Sequence, residues 1–426
     1  MNPGKHTNNQ LFIRHAQFGL SVSLLFYAFV CPISHSLTYF SIVFITILTG
    51  YIWLKEEGSS PLKYSIKTLV IIWVLLAVWQ IVTLLINSKE VTFSPILKAF
   101  NILPVFLLAG LPCDNNWKKD TARHALFTLL IVTSLVVILG LIQKASGIIY
   151  PLPKQPFHDG MLFGFFGYYI YMGGFCSTLA VFTLSLILFW RASPNTKIGV
   201  SCLFFILVAG TLFSMSRTYY ISLLVTIVFL LVKKSWKATA IGLLCIIMIS
   251  LITFTLSPSI RDRAFSISDV KNHPSNVERI YLLKIAIDII HDYPVAGVGF
   301  KQWGNAASSY KERYTENWTF TPAYRAHAHN EYLNIAAETG LIGLFLFVFF
   351  WFYLFYVLLK QAKKHAGDSF IKAVSLGASF ALVNMLLGGL FEENFGKLPN
   401  IFSIAFLISL ALFLDKEKKE GPSEIA

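Results

Sequence analysis

The sequence predicts an all-α integral membrane protein with about twelve transmembrane helices and one large polar loop. Hydrophobic residues make up 55% of the 426-residue chain and charged residues only 13%, whereas soluble domains contain roughly 25% charged residues. Apolar segments close to the length needed to cross about 30 Å of hydrocarbon recur along the chain. Basic residues are concentrated in alternate short connections, as expected for a multi-pass protein.

The polar loop divides the predicted spans into two groups. Residues 1–256 contain nine spans, residues 257–329 form the loop, and residues 330–426 contain three spans and a polar tail. The first span lacks a small-residue cleavage site and is interpreted as a retained helix. The predicted spans lie at about 17–31, 37–54, 68–86, 96–111, 124–143, 172–190, 197–213, 218–232, 237–256, 335–359, 371–390 and 398–414.

The net charge of +13 is explained by membrane orientation. The basic connections include Lys118, Lys234 and Lys363, and the positive-inside rule places them, with both termini, in the cytoplasm. The large loop then lies on the other side of the membrane. Because anionic membrane lipid accounts for the basic excess, no nucleic-acid partner is expected.

One segment of the large loop has the periodicity of an amphipathic helix. It runs from about Val277 to His291, with Asn276 as the candidate N-cap and Pro294 just beyond its end. Such a helix is expected to lie on the membrane surface or to cover the helix bundle. Its apolar face consists of Ile280, Leu283, Ile287 and Ile290.

Three side chains are candidates for chemistry. Arg217 lies where the seventh predicted span turns into the eighth, so its guanidinium either extends to the interface or binds a phosphate. Arg279, in the first turn of the loop helix, is either an exposed charge or a second anion ligand. His329 is either an interfacial histidine or a general base for an incoming hydroxyl. Asn330, which follows it, is the candidate N-cap of the tenth span.

Metal and cofactor sites are not expected. His327 and His329 are close in sequence, but no neighbouring carboxylate or cysteine completes a ligand set. No phosphate-binding glycine loop or dinucleotide fingerprint is present. Glu392 and Glu393 lie between the last two spans, where two carboxylates are unusual and where solvation of helix ends is the simplest role.

These motifs resemble those of O-antigen ligases. His329-Asn330 is followed after nine residues by Gly340-Leu341-Ile342-Gly343, which matches the histidine signature of that family. The segment 278–299 and an arginine placed like Arg217 are similar to the wider superfamily of O-antigen ligases and Wzy-type polymerases. The specific motifs lie within residues 214–343, and a less strict histidine motif also occurs in protein O-oligosaccharyltransferases.

The resemblance implies glycan transfer from undecaprenyl pyrophosphate to a sugar hydroxyl of lipid A–core, on the periplasmic side of a bacterial inner membrane. In this reading the transfer is inverting and uses no metal, His329 is the base, and Arg217 and Arg279 bind pyrophosphate. The candidate accessory residues are Glu392, Asn330 and His327, and the resemblance implies that Glu392 either orients His329 or binds an acceptor sugar.

Two alternatives from the same superfamily stay open, a Wzy-type polymerase and a protein O-oligosaccharyltransferase. A transporter is a third alternative. The short connection between the sixth and seventh spans, from Arg191 to Lys197, and the scarcity of charges within spans disfavour it.

Overall fold

The computed structural model describes residues 3–55, 64–87, 108–109, 111, 113–146, 161–269, 273–310, 313–314 and 327–415. This part of the chain is α-helical and contains no strand. Its helices are α1 (Pro3–Val30), α2 (His35–Lys55), α3 (Tyr64–Asn87), α4 (Asn115–Ser146), α5 (Tyr169–Phe189), α6 (Pro194–Phe213), α7 (Arg217–Lys234), α8 (Trp236–Leu256), α9 (Pro258–Phe265), α10 (Pro274–Asp292), α11 (Trp303–Tyr310), α12 (Glu331–Lys364), α13 (Ser369–Gly388) and α14 (Leu398–Phe413).

The predicted fold class is confirmed. Nine described helices, α1 to α6, α8, α12 and α13, are long and apolar enough to cross a membrane. Helices α7 and α14 coincide with two further predicted spans, although α7 has basic residues at both ends and α14 has only 16 residues. The remaining predicted span, at 96–111, lies almost entirely outside the described residues. The protein is therefore an all-α integral membrane protein.

Helices α5 and α13 form the interior of the bundle. The span of α5 is 83% buried and that of α13 is 78% buried, whereas α8 is only 6% buried and faces outward. Small residues allow the close approach: a Cβ on Gly377 of α13 would lie 2.8 Å from the ring of Phe182 on α5. Small residues at helix contacts are the usual means of tight packing between transmembrane helices.

A buried tyrosine links the helix that carries Arg217 to the connection before α14. The hydroxyl of Tyr219 donates to Asn394 Oδ1 at 2.5 Å and accepts from Asn400 Nδ2 at 2.8 Å. Gly174 of α5 leaves room for this hydroxyl, since a Cβ there would lie 2.6 Å from it. The connection that contains Glu392 is thereby fixed relative to α7.

The polar loop contains three helices in its described parts: α9, α10 and α11. The predicted loop helix corresponds to α10, but its predicted start and cap were wrong. The helix begins at Pro274 after His273, and proline fits the first helical position because its missing N–H has no intrahelical partner there. The side-chain amide of Asn276 instead donates to the carbonyl oxygens of Ser266 and Asp269.

Helix α10 has two apolar faces. One packs against α11 and α12 and consists of Leu282, Ile285, Ala286 and Ile289. The face identified from the sequence is divided: Ile290 packs against that cluster, whereas Ile280 is 36% and Ile287 is 56% exposed. An outward apolar face suits the expected position at a membrane surface.

Helix α12 is kinked where the Gly297 turn packs against it. Gly340 has φ 71°, and a Cβ there would lie 2.0 Å from the carbonyl oxygen of Val295. Gly297 has φ 64°, and its Cβ would lie 2.4 Å from the backbone of Glu338. Three backbone hydrogen bonds join the segments: Val298 to Ala337, Gly299 to Glu338 and Leu341 to Pro294. The first glycine of the histidine motif is therefore required by direct backbone packing.

Candidate active site

His329 occupies a strained turn directly before α12. Its φ is 53°, in the left-handed region that side chains other than glycine rarely adopt. The turn is held by Asn330, which caps the helix by accepting from the N–H of Leu333 at 2.9 Å and donates to the carbonyl of Leu390 at 3.0 Å. The predicted N-cap is thus confirmed, and these bonds fix His329 beside the connection between α13 and α14.

The carboxylate of Glu392 lies at the centre of the site. Its Oε2 is 3.1 Å from His329 Nδ1 and 3.4 Å from an Nη of Arg279, while its Oε1 is 3.6 Å from His327 Nε2. Burial opposes ionisation of Glu392, which is 1% exposed. The hydrogen bond from His329 and the neighbouring positive charges outweigh burial and hold the pKa of Glu392 well below its usual range. Glu392 is therefore a carboxylate that can orient His329.

The side chain of His327 forms a hydrogen bond with the backbone of the turn at His329. Its Nδ1 accepts from the N–H of His329 at 3.3 Å, and the two imidazole rings are 4.4 Å apart. Burial lowers the pKa of His327 to about 4 even though Glu392 and Glu393 act in the opposite direction. A neutral His327 that accepts at Nδ1 carries its proton on Nε2, directed toward Glu392.

The same three side chains form a candidate metal set. Donor atoms of His327, His329 and Glu392 all lie within 4.8 Å of one another, so the premise that no carboxylate completes the set was wrong. The hydrogen bonds fit a metal poorly, however. Metal at His327 Nε2 would require the proton on Nδ1, where it would face the N–H of His329. Arg279 also places a positive charge on the same carboxylate. The arrangement suits a hydrogen-bonded histidine–carboxylate pair better than a cation.

Arg217 lies close to Arg279, the arginine that contacts Glu392. Arg217, 8% exposed, donates to the carbonyl and hydroxyl of Ser266 at 3.0 and 3.2 Å and to the hydroxyl of Ser275 at 3.3 Å. Both Arg279 and a third arginine, Arg263, act on it electrostatically. Arg217 and Arg279, chosen from the sequence, are therefore brought near each other, and only Arg279 contacts Glu392.

Arg263 was not identified from the sequence. Its Nε donates to the carbonyl of Met215 at 3.1 Å, and an Nη lies 3.5 Å from the hydroxyl of Tyr169. Neighbouring Arg261 is instead paired with Asp262 at 3.2 Å. Nothing in the spacing of the two arginines distinguishes one from the other, because the difference depends on how α9 packs.

Glu393, the neighbour of Glu392, points to a different set of partners. Its carboxylate is 2.5 Å from Lys301 Nζ and 3.3 Å from Lys397 Nζ. Burial opposes its ionisation, but the charge of Lys301 dominates and keeps the pKa of Glu393 low. The two adjacent glutamates therefore hold the connection between α13 and α14 through different partners, the turn at His329 for Glu392 and Lys301 for Glu393. Both glutamates are buried.

A cavity of about 80 Å³ lies next to this second group, lined by Lys301, Glu331 and several aromatic side chains. The lining includes none of Arg217, Arg279, His329 and Glu392, so the cavity is separate from the site around His329.

Part of the chain is similar to a known protein family. Residues 202–348 match a family model described as O-antigen ligase. No curated protein matches the chain significantly. The matched segment includes the three arginines and both histidines, whereas Glu392 lies beyond it. Over these residues, about a third of its chain, this membrane protein is therefore similar to O-antigen ligases.

Proposed function

We propose that the protein is an O-antigen ligase that transfers a glycan from undecaprenyl pyrophosphate to a sugar hydroxyl of lipid A–core. The observation that carries the proposal is the hydrogen bond between His329 and the buried carboxylate of Glu392, at the edge of a group of arginines. A base held by a carboxylate and an adjacent anion site are what this transfer requires.

In the proposed reaction His329 activates the acceptor. Its Nδ1 is engaged by Glu392, which leaves Nε2 to take the proton of the acceptor hydroxyl. The acceptor oxygen forms a bond to the anomeric carbon as the bond from that carbon to the pyrophosphate oxygen breaks, and the anomeric centre is inverted. Glu392 stabilises the imidazolium that forms, as the carboxylate does in other histidine–carboxylate pairs.

The departing group is undecaprenyl pyrophosphate, which takes the electron pair of the broken bond. Arg217 and Arg279 bind this anion, and their planar guanidinium groups suit paired phosphate oxygens. The energy of transfer comes from the carrier bond, so the proposed mechanism uses neither a nucleotide nor a metal.

The proposed orientation places the site on the periplasmic side of a bacterial inner membrane. Basic side chains lie at the other end of the bundle, where Lys119 pairs with Asp368 at 2.5 Å and Lys364 pairs with Asp415 at 3.0 Å. Helix α12 runs from the His329 turn to Lys364, so the two ends of the bundle carry different chemistry. The positive-inside rule assigns the basic end, and both termini, to the cytoplasm.

A reconstituted transfer assay tests the proposal. Purified protein in liposomes receives a glycan on undecaprenyl pyrophosphate and, in parallel, lipid A–core, a pilin or a second glycan carrier as acceptor. We expect transfer to lipid A–core that persists in a chelator. Transfer only to the glycan carrier or only to pilin would reassign the protein to the polymerases or to the protein O-oligosaccharyltransferases.

Histidine variants test the mechanism in the same assay. His329→Ala should lower the rate roughly 10²- to 10⁴-fold while donor binding persists, and His327→Ala should have a smaller effect. The control is His291→Ala, because that side chain is 86% exposed and pairs only with its neighbour Asp292. Full transfer by His329→Ala, or metal-dependent recovery after chelation, would overturn the mechanism.

A further inference from the structure

The surroundings of Arg217 and Arg263 favour the binding of an anion. The two side chains cross: Arg217 reaches Ser266 at the end of α9, and Arg263 of α9 reaches Met215 in the turn before α7. Within the described part of the chain, every hydrogen-bond partner of the two guanidinium groups is a neutral oxygen. Two like charges whose guanidinium groups are hydrogen-bonded to neutral oxygens favour binding of a multivalent anion.

His273 lies close to the same two arginines. Burial lowers the pKa of His273, and the charges of Arg217 and Arg263 lower it further, whereas Asp269 acts in the opposite direction.

Arg279 differs from this pair because its charge is shared with Glu392, at 3.4 Å, beside His329. Arg217 interacts electrostatically with both Arg279 and Arg263, and of these two only Arg279 contacts Glu392. Arg279 therefore lies beside the proposed base, whereas the contacts of Arg263 are with Met215 and Tyr169. A bound pyrophosphate has two distinct ends, one bearing the sugar and one bearing the lipid.

Apolar side chains border the Arg263 end. Ile260, one turn before Arg263 on α9, packs with Met161, Phe163 and Met215 in a buried cluster. The preceding helix, α8, is the outward-facing helix that is only 6% buried. The arginine pair is thus adjacent both to an apolar cluster and to a helix that faces lipid.

We propose that Arg263 binds the phosphate next to the lipid, together with Arg217, and that Arg279 binds the phosphate next to the sugar. The proposal rests on the proposed function, because it orients the isoprenoid pyrophosphate donor within the same site. The isoprenoid chain leaves the site along α8 and the apolar cluster, and the sugar faces His329. Arg263 is a binding residue in this assignment and takes no proton.

Two probes separate the two phosphate positions. Farnesyl monophosphate presents only the lipid-side phosphate, whereas farnesyl pyrophosphate presents both. Binding of each probe to the full-length protein in nanodiscs is measured by calorimetry at several salt concentrations. Arg263→Gln should lower the affinity for both probes roughly 10- to 100-fold, which is the effect expected from the loss of one charge-assisted hydrogen bond. Arg279→Gln should weaken the pyrophosphate by a similar factor and leave the monophosphate within about twofold.

Arg261→Gln is the matched control, since Arg261 lies on the same helix and pairs with exposed Asp262. It should leave the affinity for both probes unchanged. Glutamine at 263 can still donate to the carbonyl of Met215, so a purely structural role for Arg263 would keep the salt dependence of binding. The proposal expects that dependence to weaken, because one of the charges that salt screens is removed.

The outcomes distinguish this inference from the proposed function. If the wild-type protein binds farnesyl pyrophosphate but Arg263→Gln binds the monophosphate equally well, the assignment of Arg263 is wrong and the proposed function stands. The assignment would also be overturned if Arg279→Gln lowered the affinity for the monophosphate as much as that for the pyrophosphate, because Arg279 would then bind the lipid-side phosphate too. If the wild-type protein binds neither probe, the proposed function itself is contradicted.

Discussion

Replacement of Glu392 by glutamine should lower the kcat of glycan transfer. Two unit charges 3.1 Å apart, the separation of Glu392 and His329, attract by about 5 kcal/mol at an effective dielectric constant of 20. That value is an upper bound, because glutamine keeps a hydrogen-bond acceptor and Arg279 adjusts. The loss of a charge-assisted bond, roughly 1.5–3 kcal/mol, is the better guide, and it corresponds to a roughly 10- to 100-fold fall in kcat.

The assay is glycan transfer by reconstituted Glu392→Gln protein at saturating donor. The control is Asp415→Asn at the opposite end of the bundle, where Asp415 Oδ1 lies 2.8 Å from His365 Nε2. An unchanged kcat in Glu392→Gln, or an equal loss in Asp415→Asn, would refute the role given to Glu392.

Three further predictions address the fold, a buried histidine and the orientation. Gly340→Ala should lower the melting temperature by several degrees and reduce transfer, because its Cβ would lie 2.0 Å from a carbonyl oxygen at φ 71°, whereas Gly50→Ala, which meets nothing within 4 Å, should be neutral. The pKa of His327 is about 4 in the folded protein, against 6.5 for a free histidine side chain. The unfolded state therefore binds more protons between these pH values, and the melting temperature should fall as the pH falls from about 6.5 to 4. A pH dependence of the melting temperature that is equally steep in His327→Gln would contradict this assignment. A single cysteine at exposed position 308 should react with an impermeant reagent added outside cells and one at position 234 should not, after the native cysteines are replaced; the reverse would place the site in the cytoplasm.

Most of the fold could be predicted from the sequence because membrane spans depend on local composition. Eleven described helices coincide with predicted spans, and the loop helix was found with an error of three residues at its start. The error arose because asparagine is a common cap, and the competing bonds from Asn276 to Ser266 and Asp269 depend on the path of the preceding segment.

The candidate site was predictable only where chemistry coincided with a motif. His329 and Asn330 belong to a recognisable signature, and Arg217 and Arg279 stand out as charges beside spans. The roles of Arg263 and Glu392 depend on contacts between residues more than forty positions apart in sequence, such as Arg263 with Met215 and Glu392 with His329. The contact of Glu393 with Lys301 is of the same kind. No local periodicity records such contacts. The same reason explains the missed proximity of a carboxylate to the two histidines.

The packing of Gly297 against the kink at Gly340 couples two parts of the candidate site. The first glycine follows α10, the helix that carries Arg279, and the second lies ten residues after Asn330, the cap beside His329. Backbone hydrogen bonds join the two segments directly. The position of Arg279 relative to His329 is therefore set by a backbone contact in which neither side chain takes part. A larger residue at either glycine is expected to displace Arg279 relative to His329 without touching either of them.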